Sequence, residues 1–427
     1  LFLYFSQHYR EGVEKLELVF GMKDVYPWEA KVRRSIEARL RTLFERWGYA
    51  EVEPPTLEYY ATFEKTMSEE MKERIFKFLN RDGKLVCLRP EFTTSVARMF
   101  AQGNALPLPL RVYYSGKVFR YPSSPFRTES EFTQVGLEHI GQSGSAQDAE
   151  IITLAILALR ETGIRSFEVD IGHAGIFRGI LEVLPLKNGE KEEARIALKK
   201  RDFVALQTLC SRKPLPSPLS QFLLQLPFLR GKRDLLERLS CLSSESEEWQ
   251  RAVWDLLKTW EILEDFGMTE HLSINLGLVR DFDYYTGVVF EGFSPGVGYP
   301  LLAGGRYDEL FRVFGKDVPA CGFALFLERV LEALQKETVW QEGDNATPSV
   351  LFYPPRLRRR VFELAEKLRS QGIPLVMEEH EEETILLITP RGSSVFEDLD
   401  EQAVENLLTR RTYEEADPYP PHRKAER

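Results

Sequence analysis

Side chains able to hold a small charged ligand gather in four stretches of the 427-residue sequence. In Leu88-Arg89-Pro90-Glu91-Phe92-Thr93-Thr94, Glu91 and Thr93 stand two residues apart. On an extended chain that spacing points both to one face, where they can grip an ammonium group by charge-assisted hydrogen bonds. Phe119-Arg120-Tyr121-Pro122 leads to a return run in which Gln134 and Glu138, four apart, share a strand face. An amide and a carboxylate among apolar neighbours suit a small polar ligand. The third stretch, Gly277 to Gly287, holds Arg280, Tyr284 and Tyr285, a guanidinium to clamp a carboxylate beside rings to wall a flat group. The fourth, Ala303-Gly304-Gly305-Arg306-Tyr307-Asp308, pairs glycines that allow close backbone approach with an aromatic hydroxyl. Singly, each has a plainer reading: a solvated strand end, an exposed pair, a turn.

The elements that must position these groups read as an α+β chain. Val32, Ile36, Leu40, Leu43, Phe44 and Trp47 repeat at helical spacing over residues 31–47, and Gly48 stops the helix. RIFKFLN and KLVCLRP flank Arg81-Asp82-Gly83, a hairpin signal, and RVYYSGKVFRY and EFTQVGLEHIG are longer β-type runs. Ser145 and Asp148 resemble a capping box opening a helix that runs to Gly163. SFEVDIG, LSINLGLV, YTGVVFEGF and GYPLLAGG read as strands, interrupted by a charged, leucine-rich helical insertion at about 186–265. A core of 1–335 is followed by a linker at 336–347, a small α/β domain at 348–410 with about three strands and two helices, and a polar, proline-rich tail at 411–427, expected to be disordered. The last helix is expected over 396–409.

Composition excludes several classes. With 43% hydrophobic and 29% charged residues the chain reads as a soluble globular protein, and no apolar run reaches the length that spans a bilayer. The net charge of −10 argues against a general nucleic-acid binder. Cys87, Cys210, Cys241 and Cys321 are scattered without a C-x-x-C pair, and the six histidines form no metal-spacing motif. Reduced thiols, no metal, no cofactor and a cytoplasmic location are the expectations.

Taken together and in order, over about residues 18–335, the stretches resemble the catalytic domain of histidyl-tRNA synthetase and its paralogue. Gly21-Met22-Lys23-Asp24 opens the match, and Pro55 stands at class II motif 1. FRYP and EFTQVGLE stand at motif 2, LVRDFDYYTGVVFE and AGGRYD at the histidine-specific signatures, and GFALFLERV at motif 3. The resemblance implies a class II synthetase-like antiparallel sheet flanked by helices, and a histidine pocket. Glu91 and Thr93 would hold the amino group, Gln134 and Arg280 would lie near the carboxylate, and Glu138 and Tyr285 would address the imidazole nitrogens. Tyr307 would close the ring wall, with Arg120 and Tyr284 completing the set.

The nucleotide half departs from the synthetase. Activating histidine requires fixed positive charge around the phosphates of ATP and a flat slot for adenine. Arg120 and Arg329 are retained, but Pro122 replaces a glutamate, Thr128 and Ser130 fall where the synthetase has arginines, and Arg127 is the one basic residue left in that loop. Phe326 replaces the glycine before Leu-Glu-Arg, so its ring would fill the purine space. Each lost charge-assisted contact is worth roughly 1.5–3 kcal/mol, or about one to two decades in rate. The departures match the paralogue, the regulatory subunit of short-form ATP phosphoribosyltransferase, as do Ile171-Gly172-His173-Ala174-Gly175, Phe92 and Asp281-Phe282. That resemblance implies a subunit with no catalytic residues of its own. It would bind L-histidine and pair with the short catalytic subunit as a homodimer within a hetero-octamer, without tRNA. An active histidyl-tRNA synthetase is the alternative, and a stand-alone histidine sensor a third.

Overall fold

The computed structural model describes residues 17–103, 107–122, 129–199, 202–212, 217–242, 246–278, 285–337, 349–389 and 392–409. Arg280 and Tyr284, the loop residues Arg127 and Thr128, most of the linker and the tail 411–427 lie outside them. The chain divides into two compact units, the first ending at Glu337 and the second starting at Thr338.

In the first unit, helix α1 (Pro27–Arg46) begins with proline at its first turn and buries Ile36, Leu40 and Phe44, an i, i+4 stripe. Strands β1 (Ala50–Glu51) and β2 (Leu57–Tyr59), the short helices α2 (Ala61–Glu64) and α3 (Glu69–Glu73), the hairpin β3 (Lys77–Leu79) and β4 (Leu85–Leu88), and α4 (Thr93–Gln102) follow. Strands β5 (Leu110–Phe119) and β6 (Glu131–Ile140) pair antiparallel along their whole length, from Leu110 opposite Ile140 to Phe119 opposite Glu131. Next come α5 (Ser145–Thr162), β7 (Glu168–His173) and α6 (Ala174–Val183). The insertion contributes α7 (Asn188–Lys199), α8 (Phe203–Arg212), α9 (Ser217–Gln225), β8 (Arg230–Gly231) and α10 (Arg233–Leu242). Helix α11 (Glu247–Asp265) returns to pack along α5 and α6. Strands β9 (Leu272–Asn275), β10 (Val288–Phe293), β11 (Leu302–Arg306) and β12 (Ala320–Phe326) and helix α12 (Leu327–Lys336) complete the unit.

The main sheet of the described residues has nine strands in the order β1-β5-β6-β12-β11-β10-β7-β9-β8. It is antiparallel except for the parallel pairs β1–β5 and β7–β9. Alternation along β6 sends Phe132, Gln134, Glu138 and Ile140 to the face of Tyr114 and α4, and Val135, Leu137 and His139 to the face of α1 and α5.

Two local readings change. Helix α5 is capped by Gly144 without a side-chain cap, and Asp148 instead turns to Arg306 on β11, 2.8 Å away. A buried guanidinium is a stronger demand on that carboxylate than a free amide. Among its described residues the second unit has four strands rather than about three: β13 (Ser349–Tyr353), β14 (Leu375–Glu379), β15 (Ile385–Thr389) and β16 (Gly392–Phe396), in the order β14-β13-β15-β16. Strand β16 carries one β-branched residue and one aromatic after Gly-Ser-Ser, too weak a pattern to read alone; its pairing with β15 supplies the ladder. The last helix, α14 (Glu401–Thr409), therefore starts five residues later than expected, and it packs with α13 (Arg358–Ser370) around Leu351, Leu364, Leu368 and Leu387.

Candidate functional site

Glu138 sits at the centre of the sheet, 1% exposed. The Tyr114 hydroxyl donates to its Oε1 at 3.1 Å, and the Tyr307 hydroxyl donates to Oε2. The Thr93 hydroxyl also bonds this carboxyl. Two glycines make the space. A Cβ on Gly322, opposite Glu138 on β12, would lie 1.8 Å from Oε2, and one on Gly136 would lie 2.7 Å from the Tyr114 hydroxyl oxygen. Burial pushes the Glu138 carboxyl up to about 8, against the hydroxyls that favour its charged form, and the nearby Glu91 adds to the rise.

Glu91 is the second buried carboxylate of this face, 3% exposed, and burial raises it too, against Thr94 and Arg120. It does not continue an extended strand with Thr93. Thr93 opens α4, and Glu91 Oε1 accepts from the Thr94 amide at 2.9 Å, capping the helix while Thr93 stays partly open to solvent. Among the described residues neither Glu91 nor Glu138 forms an ion pair. Gln134 is 4% exposed, lies between Gly116 and Phe326 in the sheet register, and its side-chain oxygen has no hydrogen-bond partner. Tyr285 meets Tyr307 edge-on at 6.4 Å and is half-buried. The result is a polar cleft, walled by Tyr114, Tyr285 and Tyr307, with two carboxyls that a cation would relieve and one amide oxygen awaiting a donor.

Beside it, where phosphates and a purine would lie in a synthetase, the chemistry inverts. The Arg329 guanidinium lies 3.8 Å over the Phe326 ring and donates to the Pro300 carbonyl, and Phe326 also meets Phe132 at 6.0 Å. Arg120 stacks on Phe132 at 4.8 Å. The remaining cavity, about 120 Å3, is bordered by Glu129, Glu328 and Glu332, with Arg329 the one basic group among the described residues. Glu328 is itself engaged by Arg33 at 2.5 Å and by the Thr133 amide at 2.8 Å. Ser130 is fully buried, with its amide bonded to Gly21.

A family profile described as histidyl-tRNA synthetase matches residues 21–330. A protein named ATP phosphoribosyltransferase regulatory subunit from Caldanaerobacter subterraneus is 36% identical over 354 residues, 82% of this chain and 91% of that protein. One of the same name from Desulfitobacterium hafniense is 40% identical over 364 residues, 84% of this chain and 90% of its own length. A solved structure from Bacillus halodurans, described as an ATP phosphoribosyltransferase regulatory subunit/histidyl-tRNA synthetase, superposes with a TM-score of 0.77 at 31% identity, covering 86% of this chain and 94% of that one. The chain belongs to the ATP phosphoribosyltransferase regulatory subunit family.

Of the residues that the family resemblance singled out, the structure brings Glu91, Thr93, Arg120, Gln134, Glu138, Tyr285 and Tyr307 to one face of the sheet. Arg280 and Tyr284 fall outside the described residues. Sequence reasoning missed Tyr114, which bonds Glu138 from the neighbouring strand and stacks on Phe92 at 4.3 Å. The signal was Gly136 on the neighbouring β-type run: a glycine in an otherwise bulky strand marks a place where a large side chain crosses. It also missed the buried pair of Arg306 and Asp148, because that partnership spans 158 residues.

Proposed function

We propose that this chain is the non-catalytic regulatory subunit of a short-form ATP phosphoribosyltransferase. It binds L-histidine in the cleft around Glu138 and transmits feedback to a catalytic partner in the cytoplasm. Assembly follows the family expectation, a homodimer within a hetero-octamer. The histidine ammonium lies by Glu91 and Thr93, and the carboxylate by Gln134 and the Arg280 stretch. The imidazole lies between Glu138 and Tyr285 against Tyr307, one ring nitrogen taking the place of a tyrosine hydroxyl at Glu138. Feedback is linkage: histidine favours the less active state of the complex by a coupling energy on the order of 1–3 kcal/mol.

The observation that carries the regulatory reading, beyond family membership, is the Phe326–Arg329 stack, a ring and a guanidinium folded onto each other where adenine and phosphate would need them apart. The alternative, an active histidyl-tRNA synthetase, draws on the retained Arg120 and Arg329. Histidine-dependent exchange of pyrophosphate into ATP separates the two. No exchange, together with calorimetric binding of histidine, is the expected result; robust exchange would refute the regulatory reading.

A further inference from the structure

A second cavity, about 630 Å3, opens on the opposite face of the same sheet. Arg306 on β11 is paired in register with Cys321, one step out of phase with the Gly305–Gly322 pair that faces Glu138, so its side chain leaves the sheet on the α5 side. The cavity is framed by the first turns of α5, α6 and α11 and by the Thr286–Gly287 entry to β10. Carboxylates outnumber guanidiniums there six to three. Arg306 is taken by Asp148 and Asp308, and Arg178 by Glu248 at 2.6 Å. Glu247 and Arg251 have no ion pair among the described residues, and Asp255 lies 3.7 Å from His173 Nε2.

His173, in the Ile171–Gly175 motif to which the histidine cleft assigns no task, is the most specific group. Its Nδ1 accepts the Gly175 amide at 3.0 Å, so the neutral ring carries its proton on Nε2. That N–H, on a side chain 7% exposed, faces Asp255 across a gap too long for a direct hydrogen bond. Asp148, Glu247 and Glu248 already occupy the first turns of α5 and α11, so an incoming anion would meet negative charge at close range. A cation would meet Asp255 and Glu247, with Arg251 the single guanidinium without an ion pair among the described lining residues.

We propose that this cavity is a second ligand site, for a small molecule with an ammonium or guanidinium group held by Asp255 and Glu247 and a polar atom that accepts from His173. The site is also wired to the histidine cleft. Arg178, on its wall, donates to the carbonyls of Tyr285 at 3.3 Å and Thr286 at 3.0 Å, so a cationic ligand that shifts Arg178 by like-charge repulsion moves the backbone carrying Tyr285.

The test is calorimetry on the full chain with L-lysine, L-arginine and 1,4-diaminobutane, and with AMP and inorganic phosphate as probes of opposite charge. At least one cationic probe is expected to bind saturably, and Asp255→Asn and Glu247→Gln each to weaken it about tenfold or more while histidine binding persists. No saturable binding of any cationic probe up to about 10 mM, binding unchanged in both variants, or preference for AMP or phosphate overturns the site. The link rests on the histidine reading of the front cleft. Histidine that binds with the same affinity whether or not the cationic probe is saturating overturns the link alone. Absence of histidine binding, with the cationic probe still bound, overturns the front reading and leaves the rear site standing.

Discussion

Replacing Glu138 by glutamine should make the protein more stable and worse at binding histidine, and the two effects should follow pH differently. The folded Glu138 carboxyl titrates at about 8 against an ordinary 4.5, because it is sealed from water. Between those values the folded chain keeps a proton that the unfolded chain has released. The stability tied to this group is therefore complete below about pH 4.5 and drains away as pH rises to about 8. At 1.36 kcal/mol per pH unit the loss is about 3 kcal/mol at pH 7 and about 5 kcal/mol at pH 9. Glutamine, like the protonated acid, offers one acceptor and one donor, so one tyrosine hydroxyl donates and the other turns to accept; it never ionises, so Glu138→Gln escapes that loss. Near pH 5 the variant and the wild type should melt together. By pH 9 the variant should melt roughly 7 °C higher, given about 1.5 °C per kcal/mol for a unit of this size. Histidine affinity should fall about 10- to 100-fold, the worth of a charge-assisted hydrogen bond to the imidazole. Calorimetric melting from pH 5 to 9, paired with histidine titration, reads both. A variant less stable than wild type at pH 9, or one that binds histidine unchanged, would refute the reasoning.

Histidine affinity itself should be flat between about pH 6.5 and 8 and fall on either side, by up to about tenfold per pH unit. Within that window Glu138 brings the one proton that it shares with a neutral imidazole; below it the ligand brings a second, and above it neither has one. A monotonic profile through the window in titration calorimetry would count against Glu138 as the imidazole partner. Asp148→Asn should destabilise the first unit by about 3 kcal/mol in urea unfolding, because it strands the buried Arg306 with only the more exposed Asp308; no change would mean that Arg306 is solvated. Phe326→Ala should lose about 3 kcal/mol of stability and still show no ATP–pyrophosphate exchange, since removing the ring does not restore the missing phosphate contacts. Exchange gained by this single change would show that the ring alone silences the site.

Much of the fold could be read from local pattern. The β5–β6 pair announces itself in two ten-residue runs of β-formers, and α1 in its four-residue apolar repeat. Failures occurred where a partner, distant or near, overrode local preference. Asp148 looked like a capping residue until Arg306 claimed it, and Glu91 looked like one face of a strand although it caps α4. Strand β16 has little intrinsic preference and exists because β15 offers an edge. In the candidate site, Glu138 and Tyr307 stood out through motifs, whereas Tyr114 was masked as one more aromatic in a strand. The rear cavity was illegible for a stronger reason: its walls come from five separate stretches, and nothing in any one of them points to the others.

The central claim is that this chain senses histidine on behalf of another subunit rather than charging RNA with it. The most direct measurement is phosphoribosyl transfer to ATP by the short catalytic subunit, with and without this protein, across a histidine titration. The account predicts that the chain confers activity and that histidine then suppresses it, with Glu138→Gln shifting the half-inhibitory concentration upward by about 10-fold or more. Catalytic activity indifferent to this chain, or histidine inhibition equally strong in its absence, would contradict it.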